Sequence, residues 1–104
     1  MDVQITSRRG KVSPEMKETI SQKMGRIEKF YEKITWCRCV LDNEHAGDVV
    51  EIIINTRGKT LSARAREDNL GKCVDTALAK IERQLKKENE KVKSHKSSKP
   101  VTLE

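Results

Sequence analysis

The stretch from Leu70 to Lys87 reads LGKCVDTALAKIERQLKK and decides the architecture of the chain. Apolar residues recur in it every three or four positions, as they do on the buried side of an amphipathic helix. Asp68 or Asn69 can cap this helix, and the pattern continues to about Val92. We therefore predict a long helix that packs one side against a core. Its buried stripe comprises Leu70, Val74, Ala77, Leu78, Ile81 and Leu85.

Positive charge collects on the other side of this helix, where Lys72, Lys80, Arg83 and Lys87 lie roughly opposite the apolar stripe. Residues 69–104 contain nine basic and five acidic residues, and so hold four of the six net positive charges of the chain. Such a surface suits a phosphate backbone and needs no catalytic group. Together with a pI near 9.4, it indicates nucleic acid or an acidic surface as the partner.

The residues before this helix predict three strands, because the apolar period changes to two and β-branched residues become frequent. We place the strands at 36–42, 49–56 and 60–67, with a loop over 43–48. Arg57-Gly58 supplies a hairpin turn, since glycine takes positive φ without strain. Trp36, at the start of the first of these strands, is expected to cover the edge of the core.

The first third of the chain predicts a strand over 3–6 and then a helix. Ser13 is a good N-cap and Pro14 suits the first helical position. The other side of this helix is basic and carries Arg26, Lys29 and Lys33, flanked by Lys23. The core stripe of the helix comprises Met16, Ile20, Met24, Ile27, Tyr31 and Ile34.

The order β-α-β-β-β-α predicts an α+β fold in which two helices pack on one face of a four-stranded sheet. A chain of 104 residues has room for one such domain. We place this domain at residues 1–93. Residues 94–104 are polar and basic and contain a proline, which predicts a disordered tail.

The composition excludes several classes of protein. No apolar run approaches the roughly 18 residues of a membrane span, and the start lacks the features of a signal peptide. We therefore expect a cytoplasmic protein without a membrane partner. An enzyme is not expected, because Ser13 and Ser62 have no plausible base, and His45 and His95 fall in a loop and a tail. Neither a cofactor nor a phosphate-cradling glycine loop is indicated.

The three cysteines allow two interpretations. Cys37 and Cys39 share one face of a predicted strand, where free cysteine behaves as a small hydrophobe. The alternative is a metal site formed with His45 and Cys73, but the Cys-x-Cys spacing is not that of a zinc finger and a second cysteine pair is missing. We favour buried, reduced thiols and expect no metal.

Three short motifs in this order resemble one known family, the ribosome hibernation promoting factors and ribosome-associated inhibitors. The motifs are Ile5-Thr6-Ser7, Ile27-Glu28-Lys29-Phe30 and Lys80-Ile81-Glu82-Arg83-Gln84-Leu85-Lys86-Lys87. The resemblance runs from about residue 1 to residue 93. It implies the same β-α-β-β-β-α arrangement, which is similar to double-stranded-RNA-binding domains.

The resemblance implies a stasis factor that binds the small ribosomal subunit in the channel used by messenger RNA and transfer RNA. Such a factor inhibits translation in idle ribosomes, under stress or in stationary phase. It is expected to be monomeric when free, and a ribosome modulation factor and ribosome dimers accompany some relatives. The matching positions for contact with ribosomal RNA are Lys23, Arg26, Lys29, Lys80, Arg83 and Lys87. Further contacts are expected from Lys33, Lys72, Lys86, Arg64 and Arg66.

One departure from the family pattern lies at the start of the second helix. Relatives commonly have Asp-Met-Tyr there, whereas this chain has Asn69-Leu70-Gly71. Three other functions stay open at this point: a general double-stranded-RNA-binding module, a protein-binding regulator of transcription, and a metal- or redox-responsive domain built on the cysteines.

Overall fold

A computed structural model describes residues 2–31, 33–45 and 47–97. It confirms the predicted order of two helices and four strands. The elements are β1 (Asp2–Ser7), α1 (Pro14–Phe30), β2 (Ile34–Glu44), β3 (Gly47–Thr56), β4 (Lys59–Glu67) and α2 (Leu70–Ser97).

The four strands form one sheet in the order β1-β2-β3-β4. The first pair is parallel, because α1 carries the chain back between β1 and β2, and the other pairs are antiparallel hairpins. Alternate strand residues turn to the helices and are buried with the apolar stripes of both helices. The centre of this core comprises Ile20, Met24, Ile27, Leu41, Ile52, Ile54, Ile81 and Leu85.

Helix α1 begins as the sequence predicts but ends earlier. The Ser13 hydroxyl accepts a hydrogen bond from the Met16 amide at 3.1 Å and caps the helix. The helix ends at Phe30, because Tyr31 takes an extended backbone with a φ of −130° and a ψ of 99°. The prediction of Ile34 in the core stripe of this helix was therefore wrong. Ile34 instead begins β2, where it is buried.

The hairpin between β2 and β3 is tighter than the predicted loop over 43–48. The strands extend to Glu44 on one side and begin at Gly47 on the other. Gly47 has a φ of 142°, and a Cβ atom there would lie 2.4 Å from the Glu67 carbonyl oxygen. Only glycine fits this approach of β3 to the end of β4.

Trp36 does not cover the edge of the core. The β2–β3 register shifts between Ile34 and Trp36, so these two residues point to opposite faces. Cys37 and Cys39 turn to the core and are buried, which places Trp36 on the sheet face away from the helices. The alternation of the strand therefore decides the side taken by this large apolar residue.

Helix α2 is capped by Asn69, whose side-chain oxygen accepts a hydrogen bond from the Lys72 amide at 2.9 Å. This contact decides between the two predicted caps. The helix continues past the predicted end at Val92 to Ser97. Residues 98–104 of the predicted tail lie outside the described residues.

Candidate nucleic-acid interface

A basic groove lies between α2 and the outer edge of β4. We call it the α2–β4 groove and define it by Lys80, Arg83, Gln84 and Lys87 of α2 and by Ala63 and Arg64 of β4. Its volume is about 410 Å³. Three of the six residues predicted to bind RNA line this groove, and no described acidic residue does. A positive, open channel of this kind suits an anionic backbone.

Two side chains of α2 fix this groove to the sheet. The Lys80 ammonium group donates a hydrogen bond to the Arg64 carbonyl oxygen at 2.9 Å. One turn later, the Gln84 amide donates to the Ser62 carbonyl oxygen at 2.7 Å. Both carbonyls belong to β4, an edge strand that has no further strand to pair with. Lys80 therefore holds α2 against the sheet while its charge stays at the groove.

Acidic side chains bound the α2–β4 groove at both ends, and each has a partner. At the start of α2, Glu67 accepts a hydrogen bond from the Thr76 hydroxyl at 3.0 Å. At the far end, Glu88 pairs with Lys59 of β4 at 3.3 Å. The described residues that line the groove with Arg83 and Lys87 include no carboxylate.

The basic residues of α1 occupy a different place. Lys23 forms an ion pair with Asp75 of α2, and we call this contact between the two helices the α1–α2 seam. Arg26 and Lys29 lie exposed on α1. The structure thus brings together the three predicted residues of α2 in one groove and places the three of α1 on the other helix. The role of all six in binding RNA stays a prediction.

Of the five additional predicted residues, Arg64 is among those that line the α2–β4 groove, and the other four are dispersed. Lys72 and Lys86 are exposed on α2, and Lys33 lies in the turn before β2 rather than on α1. Arg64 and Arg66 lie on the open face of the sheet, where both guanidinium groups bind the Glu44 carboxylate. The pairing with Glu44 reduces the charge that this face presents.

Sequence reasoning missed Gln84 as part of the site because it carries no charge. One signal was available, since Gln84 follows Lys80 by four positions and therefore lies on the same side of the helix. The ion pair between Lys59 and Glu88 was not predicted either, because the two residues are far apart in the sequence.

The three cysteines are buried free thiols. Burial raises the pKa of Cys37 and of Cys39 to about 12, and it also raises the pKa of Cys73. The free thiols therefore stay protonated at neutral pH. His45 is exposed in the β2–β3 hairpin, and no three His, Cys, Asp or Glu residues in the described part of the chain could share a metal ion.

In the part of the chain that the structure describes, neither α1 nor α2 contains an apolar stretch long enough to cross a bilayer.

Residues 3–93 match the sequence profile of a family described as sigma 54 modulation protein / S30EA ribosomal protein. The chain is 25% identical over 95 residues to the ribosome hibernation promoting factor of Klebsiella oxytoca, covering 91% of this chain and all of the relative. It is 28% identical over 94 residues to the factor of the same name from Pseudomonas putida, covering 90% and 92% of the two chains.

Two solved structures share the fold. A ribosomal subunit interface protein from Coxiella burnetii superposes with a TM-score of 0.81 at 27% identity, covering 86% of this chain and 99% of that one. The N-terminal domain of Protein Y from Thermus thermophilus superposes with a TM-score of 0.75 at 18% identity, covering 84% and 98%. The family match spans most of the chain and confirms the resemblance drawn from its motifs. This chain belongs to the sigma 54 modulation protein / S30EA ribosomal protein family.

Proposed function

We propose that this protein is a cytoplasmic ribosome-binding stasis factor that occupies the decoding channel of the small subunit and inhibits translation in idle or stressed cells. Relatives named ribosome hibernation promoting factor support the ribosome as the partner. The observation that carries the proposal for this chain is the α2–β4 groove, in which Lys80, Arg83 and Lys87 meet without a described acidic residue among them.

Binding would proceed through phosphate contacts. Cationic side chains in the α2–β4 groove replace the counterions that condense on ribosomal RNA, so affinity falls steeply as salt rises. Contacts of this kind position a protein without reading sequence. Specificity would then come from the shape of the channel, which exists only on the assembled subunit.

Inhibition would proceed by occlusion. A folded domain in the decoding channel excludes messenger RNA and the anticodon ends of transfer RNA, and no chemical step is required. The basic residues of α1, Lys23, Arg26 and Lys29, would contact RNA on a second wall of the channel.

The test reverses charge in the α2–β4 groove. The double variant Arg83→Glu/Lys87→Glu is expected to lose binding to purified small subunits at physiological salt and to keep its fold, since both residues are exposed. In milder neutralising variants, each lost phosphate contact should lower the slope of log affinity against log salt by about 1. Binding is measured by co-sedimentation.

Lys11→Glu/Lys17→Glu is the matched control, because it makes the same change in net charge at exposed residues outside the groove. It should retain most of the binding. Equal loss in both double variants would mean that net charge alone drives association. Unaltered binding in the groove variant would show that Arg83 and Lys87 lie on an ordinary solvated surface.

Gradient sedimentation of cell extract tests the transcription-regulator alternative, binding to an RNA duplex tests the general RNA-binding module, and substitution of all three cysteines tests the metal- or redox-responsive domain. A protein-binding regulator of transcription would stay away from ribosomal fractions. A general double-stranded-RNA-binding module would bind an unrelated RNA duplex as tightly as it binds the subunit. The proposal predicts co-migration with small subunits and a clear preference for them over a duplex.

A further inference from the structure

A second site lies on the opposite face of the sheet, where Trp36 is only partly buried. Arg38 follows on the same face, and its guanidinium carbon lies 5.6 Å from the centroid of the Trp36 ring. Trp36 has no place in the buried core, since the next residue, Cys37, takes the inward position of the alternating strand. A large aromatic side chain that is exposed and already lies against a guanidinium can bind a flat ligand by stacking.

Gln4 on the neighbouring strand β1 holds the Arg38 guanidinium in place. Gln4 lies directly opposite Arg38 in the β1–β2 register, and its side-chain oxygen accepts a hydrogen bond from Arg38 Nε at 3.2 Å. The two N–H bonds of the Gln4 amide and the terminal N–H groups of Arg38 remain available as donors. The stack is therefore oriented before any ligand arrives, which lowers the entropy that binding costs.

A cavity of about 430 Å³ adjoins this stack at the N-terminal ends of β1 and β2. This volume falls in the range of small-molecule sites. Its polar groups are the Asp2 carboxylate, which accepts hydrogen bonds, and the Gln4 amide, which donates them. The lining residues are Asp2, Val3, Gln4, Trp36, Cys37 and Arg38.

We propose that this cavity binds one unpaired nucleobase of ribosomal RNA, stacked on the Trp36–Arg38 pair. Guanine fits the polar groups best, because its pairing edge offers two adjacent N–H donors to a carboxylate and a carbonyl oxygen to an amide. The remaining Arg38 donors would meet a flanking phosphate. The site rests on the proposed function, in that it adds a base contact to an interface otherwise made of phosphate contacts.

The observations favour RNA over a protein partner at this site. A protein partner would cover a broad apolar surface, whereas Arg38 lies over the ring here and the adjoining cavity is polar at Asp2 and Gln4. Stacking on exposed aromatic and guanidinium planes is the common way in which proteins hold unstacked RNA bases. A ribosomal protein is retained as one outcome of the test.

The chain contains a single tryptophan, so its fluorescence reports on this site alone. The full chain is titrated with a short single-stranded oligonucleotide carrying one guanine among uridines, and with an all-uridine control. Binding is followed in parallel by anisotropy of the labelled oligonucleotide. We expect Trp36 emission to be quenched by the guanine oligonucleotide at lower concentration than by the control, beyond the quenching of free N-acetyltryptophanamide.

Trp36→Ala should weaken binding of the guanine oligonucleotide by roughly 5- to 150-fold, the range found when a stacked aromatic is removed. Trp36→Phe keeps a ring and should retain most of the affinity. Arg38→Gln leaves the tryptophan in place and should shift the quenching curve to higher concentration. A thermal melt of each variant shows that the fold is kept.

Unchanged emission while anisotropy reports a bound oligonucleotide overturns this proposal, and so does equal quenching by both oligonucleotides. Quenching by intact subunits but by no oligonucleotide also overturns it, because a protein would then cover the ring. The groove variant Arg83→Glu/Lys87→Glu separates the two proposals. This variant should lose subunit binding and still show guanine-dependent quenching of Trp36 at low salt. If the wild-type protein shows that quenching but does not bind subunits, only the proposed function is contradicted.

Discussion

Basic residues lie in contrasting surroundings on the two sides of α2. On the side that faces β4, the Lys80 ammonium binds a neutral backbone carbonyl, and Arg83 and Lys87 line a groove with no described carboxylate. On the side that faces α1, Asp75 pairs with Lys23. A cation bound to a carbonyl keeps its full positive charge, whereas a cation bound to a carboxylate is largely neutralised. Lysine content alone therefore does not locate an anion site, and the neighbours of each lysine decide it.

The largest effect on stability is expected from disrupting the buried apolar stripe of α2, which holds both sides of the helix in place. Ile81 is fully buried at the centre of the α2 stripe. Ile81→Asp would place an unpaired charge in the core and leave a cavity, at a cost of at least about 4 kcal/mol. This is a large fraction of the roughly 5–15 kcal/mol by which a small domain is stable. We expect loss of the cooperative thermal transition measured by circular dichroism.

Ala79→Asp is the matched control for that variant, because it introduces the same side chain at an exposed position of α2. It should melt close to the wild type. Equal destabilisation by both variants would mean that the helix, and not its buried stripe, is what aspartate disrupts.

A smaller effect is expected within the α2–β4 groove, where Lys80 and Lys87 differ in one contact. Lys80→Met removes the donor to the Arg64 carbonyl, so it should lower the free energy of unfolding by about 1 kcal/mol as well as weaken subunit binding. Lys87→Met should weaken binding alone. Chemical denaturation and co-sedimentation of the two variants measure the two quantities. If Lys80→Met leaves stability unchanged, its hydrogen bond to β4 contributes nothing in solution.

The smallest effect is expected at the α1–α2 seam. Asp75→Asn removes the partner of Lys23, and because exposed ion pairs contribute little, stability should change by less than about 1 kcal/mol. Lys23 would then be free to meet phosphate, so affinity for the small subunit should rise by up to about fivefold. Binding curves at several salt concentrations measure the change. Reduced affinity in Asp75→Asn would show that Asp75 orients Lys23 for RNA instead of competing with it.

The sequence predicted most of the fold because helical and strand periods differ clearly along the chain. The apolar positions of α2 and the alternation in β3 and β4 placed the core correctly. The end of α1 was missed because Tyr31 takes an extended backbone although the apolar spacing continues through it to Ile34. The outward position of Trp36 was missed because an indole is usually assigned to the interior, whereas strand alternation turns it to solvent.

The candidate site was predictable only in part. Spacing along α2 brought Lys80, Arg83 and Lys87 to one side, and the structure places them in one groove. Spacing could not show that α2 packs Lys80 and Gln84 against β4, because these contacts join residues 16 and 22 positions apart. It also could not show that Asp75 meets Lys23 across 52 positions. Contacts between elements depend on how the elements pack, and a local pattern does not contain that information.

Electron microscopy of small subunits mixed with the full chain would show where the domain binds and which of its surfaces faces the RNA. We expect density for the domain in the decoding channel, with Arg83 and Lys87 of the α2–β4 groove against ribosomal RNA phosphates. Density elsewhere on the subunit, or in the channel with this groove turned to solvent, would contradict it.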